Sequence, residues 1–367
     1  MTPPVILDTH VHLWPSSSTT SSAHGWMQPG HFLSKRHGPL DYLSITDASV
    51  KGIVYIETDR HLPPLPAALS SPTRADASTC QEVEDVLKQW AHEPLEEIKF
   101  LRRIAEGTTE DGDGDVPGKG ASLMKACVLY APMHLPNSVF EAYLRVAEKV
   151  AGPTLWGQKV VGFRFLLQGK KQGEVTRLVG RQDWIDNLLS LGKGPRPNGK
   201  GWTFDVGVDL HRDGDEGLIA VGGMIEQVRK RGGKGVFVLD HLCKPPLSNA
   251  PPSKTFSTAL KALQNDQNVY MKLSGALNEF DKTPDSVEQV AAALKGHVDV
   301  VFGCFQHRVM FGSDWPVCNV GGPKGESGNW LFWREVVQRV VEERGMSEGE
   351  REGVWWAVGA RAYGVAM

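Results

Sequence analysis

Eight short apolar runs recur along the chain, and a longer amphipathic segment follows most of them. The runs cover residues 5–7, 52–58, 123–131, 160–167, 203–210, 235–240, 269–274 and 309–312. Strands that alternate with helices are typical of parallel βαβ units, and eight such units close a (β/α)8 barrel. The sequence therefore predicts an α/β chain folded as a TIM barrel. A doubly wound open sheet is the alternative, but no glycine-rich phosphate loop follows the first run.

The segments between the runs carry the spacing of helices. We expect helices over 81–104, 138–150, 183–191, 217–231, 255–264, 286–297 and 330–344, and a closing helix over 347–363. The whole chain, residues 1–367, is expected to form one barrel domain. Insertions near 16–39, 61–80 and 106–120 extend the loops after the early strands.

Composition and charge exclude several classes of protein. The net charge of −3 gives no electrostatic reason to expect nucleic acid or an anionic membrane as partner. The five cysteines form no CxxC pair, which is typical of reduced thiols inside a cell. The chain has neither a signal-peptide start nor the roughly 18–20 apolar residues of a membrane span. We expect a cytoplasmic protein that acts on a small molecule; its oligomeric state is not indicated.

The first run continues into Asp8-Thr9-His10-Val11-His12, and the last into Gly312-Ser313-Asp314-Trp315-Pro316. Side chains two apart in a strand point to the same side, so His10 and His12 project together. Two adjacent inward imidazoles are costly to bury unless they share a task. Because the first and last strands of a closed barrel are neighbours, we expect Asp314 to meet both histidines.

Further candidates stand where other strands end, which is where barrel enzymes place catalytic groups. His211 follows the fifth run and His241 follows the sixth. Adding His211 to His10, His12 and Asp314 makes three nitrogens and one carboxylate, a donor set suited to zinc. Strand alternation counted from His241 predicts that the preceding Asp240 points outward as a structural partner.

Five further residues are candidates for substrate binding, and each has a structural alternative. Glu57 is either a base or a satisfied carboxylate, and Arg164 either binds a substrate oxygen or pairs with Glu57. Lys272 is functional if it points inward, but an outward lysine that contacts a helix is equally plausible. Trp14 and Trp315 offer faces for a sugar ring, although packing in an aromatic core explains them equally well.

The opening motif and residues 239–246, 272–275 and 310–318 resemble the amidohydrolase superfamily, specifically its amidohydrolase-2 branch. Within that branch the chain looks most like the sugar-lactone hydrolases that act on L-fucono-1,4-lactone and L-rhamnono-1,4-lactone. The resemblance implies a carboxylic-ester hydrolase that opens an aldonolactone by water attack on the ring ester. It also implies that His10, His12, His211 and Asp314 are the metal-centre positions, with His241 as the remaining active-site histidine.

The resemblance further implies a cofactor and a mechanism. Arg164 occupies the inward site at which binuclear relatives carry a lysine or glutamate, which implies a single zinc ion. The related pyrone-dicarboxylate lactonases work without metal, so a metal-free mechanism stays open. Asp314 would take a proton from the attacking water, and zinc or protonated His241 would stabilise the carbonyl oxygen. The alternatives are a metal-dependent nonoxidative decarboxylase of the same superfamily and a noncatalytic sugar-binding barrel.

Overall fold

A computed structural model describes residues 4–70, 77–194, 201–247 and 251–366, and in these ranges eight parallel strands form one sheet in chain order. The strands are β1 (Ile6–Val11), β2 (Val50–Ile56), β3 (Met124–Tyr130), β4 (Val160–Arg164), β5 (Thr203–Val206), β6 (Phe237–Leu239), β7 (Val269–Leu273) and β8 (Val309–Phe311). The chain after β8 returns to β1, because Asp314 N donates to His10 O at 2.8 Å and His12 N donates to Trp315 O at 2.8 Å. The predicted TIM barrel is confirmed.

Helices surround the sheet. They are α1 (Pro39–Ile45), α2 (Ala67–Ser70), α3 (Ala77–Trp90), α4 (His92–Glu106), α5 (Lys119–Leu123), α6 (Asn137–Gln158), α7 (Glu174–Val179), α8 (Gln182–Leu191), α9 (Leu210–Asp213), α10 (Glu216–Lys230), α11 (Lys254–Leu263), α12 (Val287–Phe305), α13 (Asn329–Glu343), α14 (Glu348–Glu352) and α15 (Val358–Tyr363). The helix expected over 81–104 is two helices that part at Ala91. Short helices such as α1 and α9 were not predicted, because one or two turns show too little periodicity.

Two apolar cores hold the barrel together. The larger core lies between the sheet and the surrounding helices. The smaller core joins strand residues such as Leu7, Val128 and Met310 to Val358 and Tyr363 of α15. The C-terminal helix therefore packs against the barrel interior near the amino ends of the strands. The opposite end, where the strands finish, is left for the long loops.

The three expected insertions lie in the loops after β1 and β2. Residues 16–39 follow β1, and Trp14 and His37 exchange backbone hydrogen bonds of 2.9 and 3.0 Å at the base of this loop. Residues 61–80 include α2 and the start of α3, while 71–76 lie outside the described residues. Residues 106–120 join α4 to α5 and are anchored by Arg103, whose Nη2 donates to Asp113 Oδ1 at 2.7 Å.

The cysteines and the helices show two further features. The four cysteines with described side chains, Cys127, Cys243, Cys304 and Cys318, are free thiols, as expected. Among the described helices, none combines the length and the apolar character that crossing a membrane requires.

Candidate active site

A cavity of about 210 Å³ opens where the strands of the barrel end. Its walls include His12, Trp14, Arg164, His241, Lys244 and Asp314. These residues end or follow β1, β4, β6 and β8, so distant parts of the chain contribute to one cavity. This is the end of the barrel at which TIM-barrel enzymes carry their catalytic groups.

Three imidazole rings and one carboxylate converge at this cavity; they form the rim cluster, made of His10, His12, His241 and Asp314. The Nε2 atoms of His10 and His12 are 3.2 Å apart. Asp314 Oδ1 lies 3.6 Å from His10 Nε2, 3.4 Å from His12 Nε2 and 3.8 Å from His241 Nε2. All four side chains are buried. The opening motif and the late aspartate are therefore brought together, as the sequence predicts.

The surroundings of the three rings decide where their protons sit. His12 Nδ1 lies 2.9 Å from Ile56 O, which only accepts, so Nδ1 donates to this carbonyl. Burial lowers the pKa of His10 and of His241 well below the ordinary value. Both rings are therefore neutral near pH 7. The protonated His241 expected from the resemblance is disfavoured by this burial.

Asp314 stands in a constrained backbone with its carboxylate charged. Its φ of +62° is in the left-handed region, which residues other than glycine seldom occupy outside functional sites. Burial alone would raise the pKa of Asp314, but His241, His12 and Lys244 lower this pKa below its ordinary value. The preceding residue is tied to β1, because Ser313 N donates to Asp8 Oδ1 at 2.8 Å. An ionised carboxylate is therefore held at the cavity.

The chain after β6 makes an unusual turn. Four consecutive residues, His241, Leu242, Cys243 and Lys244, have φ values of 55°, 54°, 62° and 48°. Left-handed conformation costs roughly 1–2 kcal/mol for each such residue and persists only where the surroundings enforce it. Gly275 packs against this turn, since a Cβ built there would lie 2.4 Å from His241 Nδ1. The turn directs both His241 and Lys244 toward the cavity.

Asp240 corrects one expectation from the sequence. Its side chain is fully buried inside the barrel, with Oδ1 3.0 Å from Lys272 Nζ and 3.4 Å from His10 Nδ1. The prediction that Asp240 points outward was wrong. Alternation counted back from His241 assumes an extended chain, whereas the chain becomes left-handed at His241. Asp240 continues the alternation of β6, and His241 reaches the interior through the turn.

A set of paired charges lies directly beneath the rim cluster. This ionic layer consists of Glu57, Arg164, Asp205, Asp240, Lys272 and Tyr363. Lys272 Nζ donates to Asp205 Oδ2 at 2.6 Å, and Tyr363 Oη donates to the same oxygen at 2.6 Å. Arg164 Nε donates to Glu57 Oε1 at 2.6 Å. Lys272, Asp205 and Asp240 have 0% exposed surface, so the layer is separated from bulk solvent, and only the end of Arg164 reaches the cavity.

Comparison with known proteins gives the family. The family model for amidohydrolases matches residues 235–364. An L-fucono-1,5-lactonase from Burkholderia multivorans is 32% identical over 228 residues, which cover 60% of this chain and 67% of that protein. The chain belongs to the amidohydrolase family.

Two more relatives extend the likeness over the whole chain. An L-rhamnono-gamma-lactonase from Scheffersomyces stipitis is 25% identical over 375 residues, 98% of each protein. A crystal structure of an amidohydrolase from Burkholderia multivorans with bound zinc has a TM-score of 0.62 and 20% identity, covering 99% of this chain and 100% of that one. At this identity the structural likeness shows a shared fold.

The five substrate-binding candidates lie in three different places in this amidohydrolase. Trp14 and Arg164 line the cavity. Glu57 and Lys272 belong to the ionic layer beneath it, and each is bonded to a buried partner of opposite charge. Trp315 packs edge-on against an aromatic ring of α1, with centroids 5.4 Å apart, and is not part of the described cavity lining.

His211 is placed differently from the other proposed metal ligands. It lies in α9, where its Nδ1 is 3.0 Å from Glu279 Oε2 and its side chain is 27% exposed. Among the described residues, it is not in a group whose ligand atoms lie within 4.8 Å of one another. The expected strand ran to residue 210, but β5 ends at Val206 and α9 turns His211 away. His241 approaches Asp314 instead.

The cavity residues that the sequence did not assign include Asp59, Gln168 and Lys244. Part of Asp59 reaches solvent, yet desolvation by the cavity wall and the charge of Glu57 raise its pKa to about 6. Its φ of +52° comes from a turn after β2 that the local sequence does not announce. The sequence could have indicated Lys244, because this residue lies within residues 239–246, one of the segments that resemble the family.

Proposed function

We propose that this amidohydrolase is a lactonase that opens a sugar-acid lactone, such as L-rhamnonolactone or L-fuconolactone, by water attack on the ring ester. The observation that carries the proposal is the Asp314 carboxylate, held 3.4–3.8 Å from three imidazole nitrogens at a small cavity. A charged carboxylate at a cavity can take up and return a proton, as ester hydrolysis requires. The names of two relatives, an L-rhamnono-gamma-lactonase and an L-fucono-1,5-lactonase, support this substrate class.

In the proposed reaction, the proton transfers take place at the rim cluster. Water attacks the carbonyl carbon, Asp314 accepts its proton, and the carbonyl electron pair moves onto oxygen. His12 and His241 line the cavity beside this carboxylate. When the intermediate collapses, the ring C–O bond breaks and Asp314 returns the proton to the departing oxygen. The product is an open-chain hydroxy acid, and Asp314 is again a carboxylate.

The cavity walls match a small polar ring. The indoles of Trp14 and Trp26 lie with centroids 5.7 Å apart and offer apolar faces to a sugar ring. Arg164 and Asp59 provide donors and acceptors for hydroxyl groups. The volume of about 210 Å³ is below the ~300–1,000 Å³ of sites for drug-sized ligands. These features favour a single sugar-acid ring.

We also propose that the rim cluster holds one zinc ion through His10, His12 and Asp314. Their ligand atoms lie within 4.8 Å of one another, and nitrogen with carboxylate oxygen is a donor set that zinc accepts. Lys272 Nζ lies 3.1 Å from His10 Nδ1 and Asp240 Oδ1 lies 3.4 Å from the same nitrogen, so the ring is held with Nε2 toward Asp314. A bound zinc ion supplies Lewis acidity and lowers the pKa of its water to about 7.

A single ion fits better than a pair. A second group of ligand atoms comes from His10, Asp240 and His241. However, Lys272 Nζ lies 3.0 Å from Asp240 Oδ1 and 3.1 Å from His10 Nδ1. Its ammonium charge already neutralises this carboxylate and repels another cation.

The experiment that tests the function is a panel of lactones, followed with a pH indicator against the spontaneous rate. The panel contains rhamnono-, fucono-, galactono- and gluconolactones in both the 1,4 and the 1,5 ring forms. We expect acid release from at least one of them. A parallel assay measures carbon dioxide release from aromatic acids. Decarboxylation without lactone hydrolysis would show that the enzyme is a decarboxylase, and sugar binding without either reaction would show a noncatalytic barrel.

The metal proposal predicts zinc content. Elemental analysis of protein purified without added metal should find about one zinc ion per chain. His12→Asn removes a ligand and should lose most of this zinc, whereas His211→Asn should keep it, because His211 bonds Glu279 outside the cluster. Less than about a tenth of an equivalent in a fully active enzyme would overturn zinc as its cofactor.

A further inference from the structure

Lys244 is a cation at the cavity to which the proposed mechanism has given no role. It lies at the end of the left-handed turn, is 5% exposed, and shares the cavity wall with His241 and Asp314. Its backbone is fixed at both ends, because Lys244 N donates to His241 O at 2.7 Å and His211 N donates to Lys244 O at 2.9 Å. A strained turn that delivers a lysine to a reaction cavity is typical of a functional position.

Glu279 holds the ammonium group of Lys244. Lys244 Nζ donates to Glu279 Oε1 at 2.8 Å, and Glu279 is 1% exposed. The same carboxylate accepts from Arg212 Nη1 at 3.0 Å and approaches His211 Nδ1 at 3.0 Å. Its single negative charge is therefore shared between two cations, so the charge of Lys244 is only partly offset.

The ammonium group of Lys244 has N–H groups that are not used by the described contacts. An ammonium group has three N–H donors. In the described contacts one goes to Glu279, whose Oε1 also accepts from the Asn278 side-chain amide at 2.6 Å. Arg164, the other cation of the cavity wall, has Nε and Nη2 bonded to Glu57 at 2.6 Å each and Nη1 3.5 Å from Asp240. Lys244 is the freer donor of the two.

The proposed reaction needs such a donor. Negative charge develops on the carbonyl oxygen when water attacks, and a preorganised donor at that oxygen gives a large part of the rate enhancement. His241 Nδ1 lies 2.9 Å from Ser274 Oγ and its Nε2 faces Asp314 Oδ1 at 3.8 Å, so both ring nitrogens already have partners. Lys244 brings both a charge and free N–H groups to the same wall of the cavity.

We propose that Lys244 is a catalytic residue that donates a hydrogen bond to the substrate carbonyl oxygen as it becomes negative, and that Glu279 is its positioning residue. No covalent bond forms to Lys244. Water adds to the carbonyl carbon while Asp314 takes the proton; the oxyanion stays bonded to the Lys244 N–H until the ring C–O bond breaks. This inference rests on the proposed lactone hydrolysis.

The first experiment compares Lys244→Met with Lys282→Met on the lactone that the wild-type enzyme hydrolyses best. Lys282 is an exposed lysine in the loop after β7 and serves as the control. We expect Lys244→Met to lower kcat by about 100- to 1,000-fold with little change in KM, because the oxyanion exists only beyond the ground state. Lys282→Met should match wild type.

A second variant separates chemistry from folding. Lys244→Ala leaves space for a small amine, so added ethylammonium should restore kcat in proportion to its concentration. Tetramethylammonium, which has charge but no N–H, should not. This response does not depend on how stable the variant is, since both salts are compared on the same folded protein.

Glu279 is tested through Lys244. Glu279→Gln should lower kcat about tenfold in the wild-type background and have almost no effect in the Lys244→Ala background, because it acts through that lysine. Equal effects in both backgrounds would show a separate, structural role.

The outcomes are distinct. Wild-type hydrolysis with normal kcat in Lys244→Met, a change in KM alone, or no response to ethylammonium would overturn the role of Lys244 and leave the lactonase proposal intact. Absence of hydrolysis of every lactone by the wild-type enzyme would overturn the proposed function, and the role of Lys244 with it.

Discussion

The rim cluster and the ionic layer are neighbours inside one barrel, yet they use similar residues differently. Lys272 Nζ in the layer is only 3.1 Å from His10 Nδ1 in the cluster. In the layer, Lys272 and Asp205 have 0% exposed surface and are bonded to each other. In the cluster, three buried imidazoles surround a charged carboxylate at an open cavity. Access to the cavity, rather than burial alone, separates the reactive groups from the structural ones.

The ionic layer gives the cluster a rigid base. A buried pair contributes modestly as a whole, but removal of one partner leaves an uncompensated charge and is strongly destabilising. Lys272 and Asp240 fix His10 from below, and Glu57 fixes Arg164. The comparison therefore predicts a loss of activity from changes in the cluster and a loss of stability from changes in the layer.

The largest effect is expected in the rim cluster. Asp314→Asn keeps the shape of the side chain but removes the proton acceptor, so lactone hydrolysis should fall about 1,000-fold or more. The unfolding midpoint in urea should change little. Asp281→Asn, at an exposed aspartate after β7, is the matched control and should retain full activity. Near-normal turnover by Asp314→Asn would refute the role of Asp314 as proton carrier.

A change in the ionic layer should act on stability. Lys272→Met leaves Asp205 and Asp240 without their shared cation, so the free energy of unfolding should fall by about 3–5 kcal/mol. Lys295→Met breaks an exposed ion pair with Asp299 and should change it by less than about 1 kcal/mol. Urea unfolding measures both. A Lys272→Met protein that unfolds like wild type but has lost its activity would break the distinction between layer and cluster.

The smallest effect concerns the loop that follows β1 and supplies Trp26 to the cavity. His24 is fully buried in it, bonded to Ser18 O at 2.9 Å and Thr58 Oγ1 at 2.8 Å. Burial, followed by the charge of Arg60, lowers the pKa of His24 from 6.5 to about 2. Below pH 6.5 the unfolded chain takes up a proton on His24 and the folded chain does not. The contribution of His24 to the free energy of unfolding is therefore fully present above pH 6.5 and is lost as pH falls toward 2.

The measurement is the slope of unfolding free energy against pH. In wild type, His24 should contribute about 1.4 kcal/mol per pH unit between roughly pH 6 and pH 4. His24→Gln should remove this part of the slope, while His92→Gln, at an exposed histidine, should leave it unchanged. An identical slope in wild type and His24→Gln would show that His24 does not remain neutral in the folded protein.

Much of the fold was predictable because parallel barrels repeat one simple pattern. Every predicted apolar run overlaps a strand, from Ile6–Val11 to Val309–Phe311. Errors arose where strands stop, since runs such as 203–210 continue in apolar residues after β5 ends at Val206. Short helices were missed because a few residues do not show a helical period.

The candidate site was predictable in part. His10, His12 and Asp314 were found because an inward pair of histidines and a late strand-end aspartate have to meet in a closed barrel. Asp240 was misjudged and His211 was placed in the wrong surroundings, because both predictions extended regular geometry past the end of a strand. Lys244 was missed for the same reason, since its direction depends on the left-handed turn.

The amino-acid sequence by itself determined the barrel, its strand order and the meeting of the first histidines with the last aspartate, because hydrophobic periodicity and ring closure leave few alternatives. Only the tertiary structure decided which charged groups reach the cavity and which are sealed beneath it. The difference between Lys244 and Lys272 depends on backbone angles at a few residues and on partners more than thirty positions away in the chain, such as Glu279 and Asp205. Local sequence preference predicts neither the backbone angles nor the distant partners. Both depend on how many residues of the interior pack together.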